Sequence, residues 1–459
     1  MYLHIKGVTA DSRKVRPGYL YVAIKGVKHD GNAYLKEAAS RGAAAAVSDQ
    51  LNSSPYLPVF HVENARRCLA YRLRNFYGSP SERLRLYGVT GTNGKTTTAF
   101  MTERILAAND LVSGMIGTVI IKMGQEVMRA ELTTPGAEEL NEFLRSMVEK
   151  GVTHAVMEVS SQGLAQYRVE GLEFAGGVIT NLGLDHLDCH ADFADYLKAK
   201  RMFVEMLGRE KPLFINGDDA EVRRLAQNAD CQVITYGLGE ACQLRAENIV
   251  LTAEGSRFEV VRSGERMSFE LQVLGLHNVY NALAAIAIAL WEKIEYPVIH
   301  RALQNFTCVE RRMEVFQVKG LTVVDDTALN PNSIKAVFAF LDNLPYRKLV
   351  VVNALRGKRS PEVNRENAKA LLELRQKKSF ACLVLTASCD VVGEADRVLP
   401  EEEKAFLSVW AGEDRVKYYL TLEEAIDFAL KQVKPGDLLV LLGAQGMDAG
   451  ADLVRRSFS

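Results

Sequence analysis

The stretch Gly88-Val89-Thr90-Gly91-Thr92-Asn93-Gly94-Lys95-Thr96-Thr97-Thr98 constrains this chain more than any other. An apolar run (Leu84, Leu86, Tyr87) precedes it, and a helical pattern (Ala99, Phe100, Met101, Ile105, Leu106) follows. The order strand, glycine loop, helix start aims backbone N–H groups and a helix N-terminus at phosphates. In that setting Lys95 is expected to reach the terminal phosphates and the Thr96 hydroxyl to ligate Mg²⁺. Gly91, Thr92, Asn93, Gly94 and Thr97 complete the expected nucleotide cradle. The pattern departs from the strict form at one point, where Val89 stands in place of the first glycine.

Around the loop the chain reads as three α/β blocks. With 459 residues it is long enough for roughly two to four domains, each with its own core. Residues 1–80 alternate short strands (Tyr19 to Ile24, Ala43 to Val47) with a helix over 33–39 that ends near Gly42. From 81 to 309, apolar runs such as Ala155-Val156-Met157, Gly177-Val178-Ile179 and Pro212 to Ile215 alternate with helical patterns. That alternation predicts a parallel sheet with helices on both faces. Within it, 243–273 alternates as an antiparallel hairpin region and leads into a helix over 278–291. From 310 to 459 the strand candidates are 321–324, 349–352, 382–385 and 438–442, with helices over 366–374 and 422–430 between them.

Bulk properties exclude several classes. A net charge of −1 gives no electrostatic case for nucleic acid or an anionic membrane. The seven cysteines are scattered without a Cys-x-x-Cys pair, which reads as reduced thiols in a cytoplasm. The first residues lack a signal-peptide core, and no apolar run approaches the roughly 18 residues of a membrane span.

Three more segments carry chemistry. Met157-Glu158-Val159-Ser160-Ser161 follows a strand. An acid at that strand end beside a phosphate loop suits Mg²⁺, although alone it reads equally as a surface glutamate before a turn. Thr180-Asn181-Leu182-Gly183-Leu184-Asp185-His186-Leu187-Asp188 clusters Asn, Asp and His after another strand. His186 is a candidate for a second metal or a phosphoryl contact, or a loop histidine bonded to its neighbours. Lys200, in Tyr196-Leu197-Lys198-Ala199-Lys200-Arg201, would by composition alone be a solvated surface charge.

This spaced set resembles the Mur ligase superfamily, ATP-dependent enzymes that add amino acids to a peptidoglycan precursor. The likeness is strongest to its MurE branch, which adds the third residue of the stem peptide. It spans nearly the whole chain and weakens after 310. The resemblance implies a central phosphate-loop domain at 81–309. It implies an N-terminal domain at 1–80 for a UDP-linked substrate and a C-terminal, Rossmann-like ligase domain at 310–459 for the amino acid. It implies ATP as the nucleotide, with Lys95 and Thr96 on its phosphates and Mg²⁺ and with Glu158 and His186 at two metal sites. Lys200 matches the lysine carbamylated in the family, whose carbamate helps hold Mg²⁺. Asn181, His277, Asn278, Arg312 and Asp326 fall near the ATP base and ribose. Ser12, Thr133, Thr134, Ser160, Gln166 and Arg168 match positions that hold a UDP-N-acetylmuramoyl peptide. The implied protein is a cytoplasmic monomer.

Departures concentrate where the amino acid enters. Leu329 stands where the family has histidine, His277 where it has phenylalanine, and Gln162 where it has histidine. Arg356 is kept in Asn353-Ala354-Leu355-Arg356. Thr386-Ala387-Ser388-Cys389-Asp390 replaces Asp-Asn-Pro-Arg, so the arginine that clamps a distal carboxylate of diaminopimelate is missing. Asp448, in Ala444-Gln445-Gly446-Met447-Asp448, replaces the glutamate of Gly-Lys-Gly-His-Glu and can still meet an amino group. The expectation is retained acyl activation with an altered amine. The alternatives are a ligase for another acceptor, a folylpolyglutamate synthetase-like enzyme and a non-catalytic nucleotide-binding partner.

Overall fold

The computed structural model describes residues 5–26, 29–51, 53–183, 190–252, 254–328, 330–378, 380–413 and 415–458. The chain builds three sheets in sequence order. The first is wholly parallel: β1 (Gly7–Thr9), β2 (Tyr19–Ala23), β3 (Ala45–Ser48) and β4 (Val59–His61), in that spatial order. Val22 and Ala45 face one small core and Tyr21 and Ala46 the other, as the two-residue period of a strand requires.

The second sheet has eleven strands: β5 (Arg85–Thr90), β6 (Ser113–Ile116), β7 (Ile120–Met123), β8 (Glu126–Arg129), β9 (His154–Glu158), β10 (Gly176–Ile179), β11 (Pro212–Asn216), β12 (Gln232–Gly237), β13 (Leu244–Leu251), β14 (Ser256–Arg262) and β15 (Glu265–Leu271). Their spatial order is β15-β14-β13-β12-β11-β10-β5-β9-β6-β7-β8. The run from β13 to β6 is parallel, and both margins finish as antiparallel hairpins. The expected hairpin region at 243–273 is one margin. The other, β7–β8, was not expected: its strands are four residues long, β7 buries only Ile121 and Met123, and β8 is exposed throughout.

Helices Lys95–Ala108 and Leu276–Trp291 cover one face of this sheet. The second is apolar all round beyond its first two turns, as a helix enclosed by other elements must be; Ala282 to Ile286 are fully buried. Helices Ala137–Glu149 and Phe193–Glu205 cover the other face. There a Cβ on Gly88 would lie 2.5 Å from the Phe203 ring, so only glycine lets that ring lie flat on β5.

The third sheet runs β16-β17-β21-β18-β19-β20, parallel apart from β16. Its strands are β16 (Glu314–Val318), β17 (Leu321–Asp326), β18 (Leu349–Ala354), β19 (Cys382–Thr386), β20 (Val416–Tyr419) and β21 (Leu438–Leu442). The four expected strands are the buried ones, and the two missed, β16 and β20, are half-exposed edges. Helices Pro331–Leu341, Pro361–Lys377 and Pro400–Val409 pack on one face, Leu422–Gln432 and Gly450–Ser457 on the other. Cys68, Cys231, Cys242, Cys308, Cys382 and Cys389 are free thiols. Among the described residues no helix is long and apolar enough to cross a membrane.

Candidate active site at the phosphate loop

The loop leaves the end of β5 and enters helix Lys95–Ala108. Gly91 has φ +139° and Gly94 φ +84°. A Cβ would fall 2.0 Å from Thr180 Oγ1 at Gly91 and 2.4 Å from Asn281 Oδ1 at Gly94, so both positions demand glycine twice over. Loop shape is set by the segment after β10. Thr92 N–H donates to Asn181 O (2.8 Å), Asn93 N–H to Asn181 Oδ1 (2.9 Å), and Thr180 Oγ1 and Asn181 Nδ2 both donate to Asn93 O (2.6 and 3.0 Å). Lys95 Nζ donates to Gly91 O (2.9 Å) and Thr92 O (2.8 Å). No side chain caps the helix start at Gly94, which leaves its first N–H groups to a ligand.

Beside the loop lies a cavity of about 430 Å³, lined by Thr92 to Thr97 and by Thr118, Thr133, Glu158, Ser160, Asn181, His277, Asn278, Arg312 and Asp326. Glu158 ends β9, next to β5, and is fully buried. Thr96 Oγ1 donates to its Oε2 (2.9 Å), Thr118 N–H to Oε1 (2.7 Å) and Thr118 Oγ1 to Oε2 (3.1 Å). One hydroxyl and one carboxylate are hard oxygen donors, and they fit Mg²⁺, whose other positions are usually filled by water and phosphate oxygens. Among the described residues no three His, Cys, Asp and Glu side chains converge as a metal cluster. His186 lies outside the described residues, as do Asp185, Asp188 and Leu329.

Lys200 is not a solvated charge. It is 1% exposed, behind the loop, with Nζ 2.7 Å from Thr90 Oγ1 and 3.2 Å from Gly91 O. The ring of Tyr196 lies under it, and that tyrosine hydroxyl is 2.7 Å from Thr92 Oγ1.

The third block reaches the loop directly. Asn330 Nδ2 donates to Asn93 Oδ1 (3.1 Å) while Asn93 Nδ2 donates back to Asn330 Oδ1 (3.3 Å). Asn330 also caps helix Pro331–Leu341 through a reciprocal box with Ser333. Arg312 donates to Arg311 O (3.1 Å) and to the Thr327 hydroxyl, and burial pushes its guanidinium down. Asp326 accepts from Met313 N–H (2.7 Å), and burial pushes its carboxyl up. Burial holds the His277 imidazole down at about 4, so it is neutral at pH 7. Asn278 Nδ2 donates to Leu274 O (2.8 Å), just ahead of the helix, and its Oδ1 accepts from Asn281 Nδ2 (2.9 Å).

A second cavity, about 860 Å³, lies between the first and second blocks, against Asp11 to Lys14, Tyr34, Arg66, Glu138, Gln166 and Arg168. Ser12 is there with its hydroxyl on Glu37 Oε2 (2.9 Å). Glu138 ties the two blocks together, accepting from Ala10 N–H (2.6 Å) and Thr9 Oγ1 (3.1 Å). The two cavities are linked by hydrogen bonds. Thr134 Oγ1 donates to Glu158 O (2.9 Å) and accepts from Ser160 N–H (3.0 Å); Arg168 donates to Thr134 O (2.6 Å) and to Gln166 Oε1 (2.8 Å).

Arg356 and Asp448 line neither cavity. Arg356 is buried just past β18, its N–H on Asn364 Oδ1 (3.2 Å). Asp448 pairs with Arg311. Sequence reasoning missed Thr118, Thr180, Asn281, Asn330 and Arg311. Asn330-Pro331-Asn332-Ser333 carries a readable capping signature, but its contact with Asn93 joins segments 237 residues apart and leaves no local signal.

Residues 4–75, 89–289 and 311–445 match the Mur ligase family catalytic domain, the Mur ligase middle domain and the Mur ligase glutamate ligase domain. Two relatives, from Aquifex aeolicus and Solibacter usitatus, are UDP-N-acetylmuramoyl-L-alanyl-D-glutamate–2,6-diaminopimelate ligases. They are 34% and 35% identical, covering 96% of this chain and 88% of each relative. A solved structure of a ligase of that name superimposes with a TM-score of 0.67 at 23% identity, over 96% of this chain and 90% of that one. The MurF ligase of Thermotoga maritima in complex with ADP gives 0.68 at 18% identity, over 99% and 100%.

Proposed function

Because the chain belongs to the Mur ligase family, we infer that it is an ATP-dependent, ADP-forming ligase that adds an amino acid to a UDP-N-acetylmuramoyl peptide in peptidoglycan synthesis. The observation that carries this is the Thr96–Glu158 pair beside a glycine loop braced from two blocks. The peptide carboxylate attacks the γ-phosphate, giving ADP and an acyl phosphate; the amine then displaces phosphate and leaves an amide. Lys95 exchanges two loop carbonyls for phosphate oxygens and neutralises their charge. Thr96 and Glu158 would hold a Mg²⁺ ion, with His186 and a carbamylated Lys200 serving a second. Bound there, Mg²⁺ supplies charge neutralisation on the transferring phosphoryl group. Asn93–Asn330 keeps the third block on the loop and excludes water from the acyl phosphate.

Gly91 to Thr97, Asn181, His277, Asn278, Arg312 and Asp326 serve ATP in this reading. Ser12, Thr133, Thr134, Ser160, Gln166 and Arg168 serve the UDP-linked peptide, and Arg356 and Asp448 the amino acid. The three sheets support a division into domains at 1–80, 81–309 and 310–459. The enzyme acts as a cytoplasmic monomer.

The amine differs from the diaminopimelate named for the relatives, because Thr386 to Asp390 lack a distal-carboxylate arginine. ADP release with UDP-N-acetylmuramoyl dipeptide and a panel of single amino acids tests the whole reading. Release with one amino acid names the amine. Diaminopimelate-dependent turnover at ordinary rates would refute the altered amine, and no release with any would move the protein to another acceptor.

A further inference from the structure

Two neighbouring arginines open the third block and serve opposite sides of β17. Successive strand residues point to opposite faces: Asp326 lines the nucleotide cavity with Arg312, whereas Asp325 is fully buried against Arg311. Arg311 is itself 7% exposed and adopts φ +55°, a backbone conformation strained for any residue but glycine. Its backbone N–H donates to Glu314 Oε2 (3.1 Å) and its carbonyl accepts from Thr327 N–H (3.1 Å), and its guanidinium makes the remaining contacts. Nε donates to both Asp325 oxygens (3.3 Å each), Nη1 to Ala444 O (3.2 Å) and to Asp448 Oδ1, and Nη2 to Gly443 O. Of the guanidinium's acceptors, all except Asp325 belong to the loop that follows β21.

We propose that Arg311 is the positioning residue of the amine subsite: it draws the loop Gly443 to Asp448 onto the end of β17 and holds Asp448 by one carboxylate oxygen. The other oxygen, on a side chain 64% exposed, faces the ammonium of the incoming amino acid. This rests on the reading above that Asp448 meets the amine substrate. It explains how an aspartate, one methylene shorter than glutamate, is kept in place. It also separates amine binding from nucleotide binding, since Arg312 lines the nucleotide cavity and Arg311 does not.

The test is steady-state ADP release by the full chain, with each panel amino acid that supports turnover. Arg311→Ala alone would strand a buried carboxylate and endanger folding, so it is paired with Asp325→Val, which removes both charges. The expected result is a KM for the amino acid raised at least tenfold, with KM for ATP and for the UDP-linked peptide moved less than twofold. Asp448→Asn should raise the amine KM by a similar factor, and adding it to the double variant should raise it no further. Arg311→Lys should retain part of the affinity. An unchanged amine KM, a parallel rise of all three KM values or independent, multiplying effects would overturn the proposal. Absence of amine-dependent ADP release in the unmodified enzyme would instead overturn the functional reading, and this one with it.

Discussion

Lys95 and Lys200 approach the same loop from different sides and should fail differently. Lys95 lines the nucleotide cavity and donates to loop carbonyls at 2.8 and 2.9 Å, so its loss leaves the apolar core untouched. Lys95→Ala is expected to lower amine-dependent ADP release by at least about a hundredfold with little change in melting temperature. Normal phosphate release from that variant would remove Lys95 from the mechanism. Lys200 is buried, and an ammonium there is costly unless its charge is matched or converted. If a carbamate forms on it, Lys200→Ala should lose activity and regain part of it in short carboxylic acids. Failure of rescue in an intact, folded variant would leave Lys200 a brace for Thr90 and Gly91. At this scale the sequence was informative where chemistry is local. The glycine loop with Lys95 and Thr96 was legible because it lies in one local strand–loop–helix segment, whereas the contact of Thr96 with Glu158 joins residues 62 apart. The burial of Lys200 was not legible, because it depends on Tyr196 and on a strand more than a hundred residues earlier.

Among elements, helix Pro331–Leu341 carries two functions on one cap. Asn330→Ala removes the cap, at about 0.5–2 kcal/mol, and the pair with Asn93. Asn330→Ser keeps a capping hydroxyl but cannot reach the loop amide in the same way. The expected outcome is a lower melting point for the alanine variant only, and a raised KM for ATP in both; equal KM values in wild type and serine variant would show that the pair is idle. At the opposite end of the sheet, β5, β9 and helix Leu276–Trp291 meet at Glu292. Its Oε1 accepts from Arg85 Nε (2.7 Å), and Tyr87 and His154 also reach the carboxylate. Burial pushes this carboxyl up, but those bonds outweigh it and hold it at about 2, below its ordinary 4.5. A depressed folded value stabilises above pH 4.5 and loses that contribution as pH falls toward 2. Glu292→Gln should therefore cost about 1–3 kcal/mol at pH 7 once solvent screening is allowed for, and little near pH 2, as urea unfolding across pH would read. Most of the longer buried strands were visible in sequence; β1 and β6, fully buried but only three and four residues long, were not, nor were β8, β16 and β20, whose exposed or half-exposed residues carry no hydrophobic period.

Across the whole molecule, each sheet buries its own apolar clusters, so unfolding should proceed in more than one step. Saturating ATP analogue at a hundred times its Kd should add about 2.7 kcal/mol to the steps carrying the second and third sheets. Calorimetry showing a single transition that shifts as one would refute this independence. Three α/β blocks and their order were legible from alternating patterns, but not which surfaces meet. The contacts of Glu138 with Ala10, and of Asn93 with Asn330, are long-range polar matches without a period.

The bracing of the phosphate loop has a consequence for how the protein is made. The loop's sequence is complete at Lys95, but the groups that give it shape arrive with Thr180, Asn181, Asn281 and finally Asn330. Contacts so distant along the chain close late. A growing chain therefore carries the loop's sequence without its bracing until the segment after β10 has emerged, and adds the Asn330 contact only with the third block.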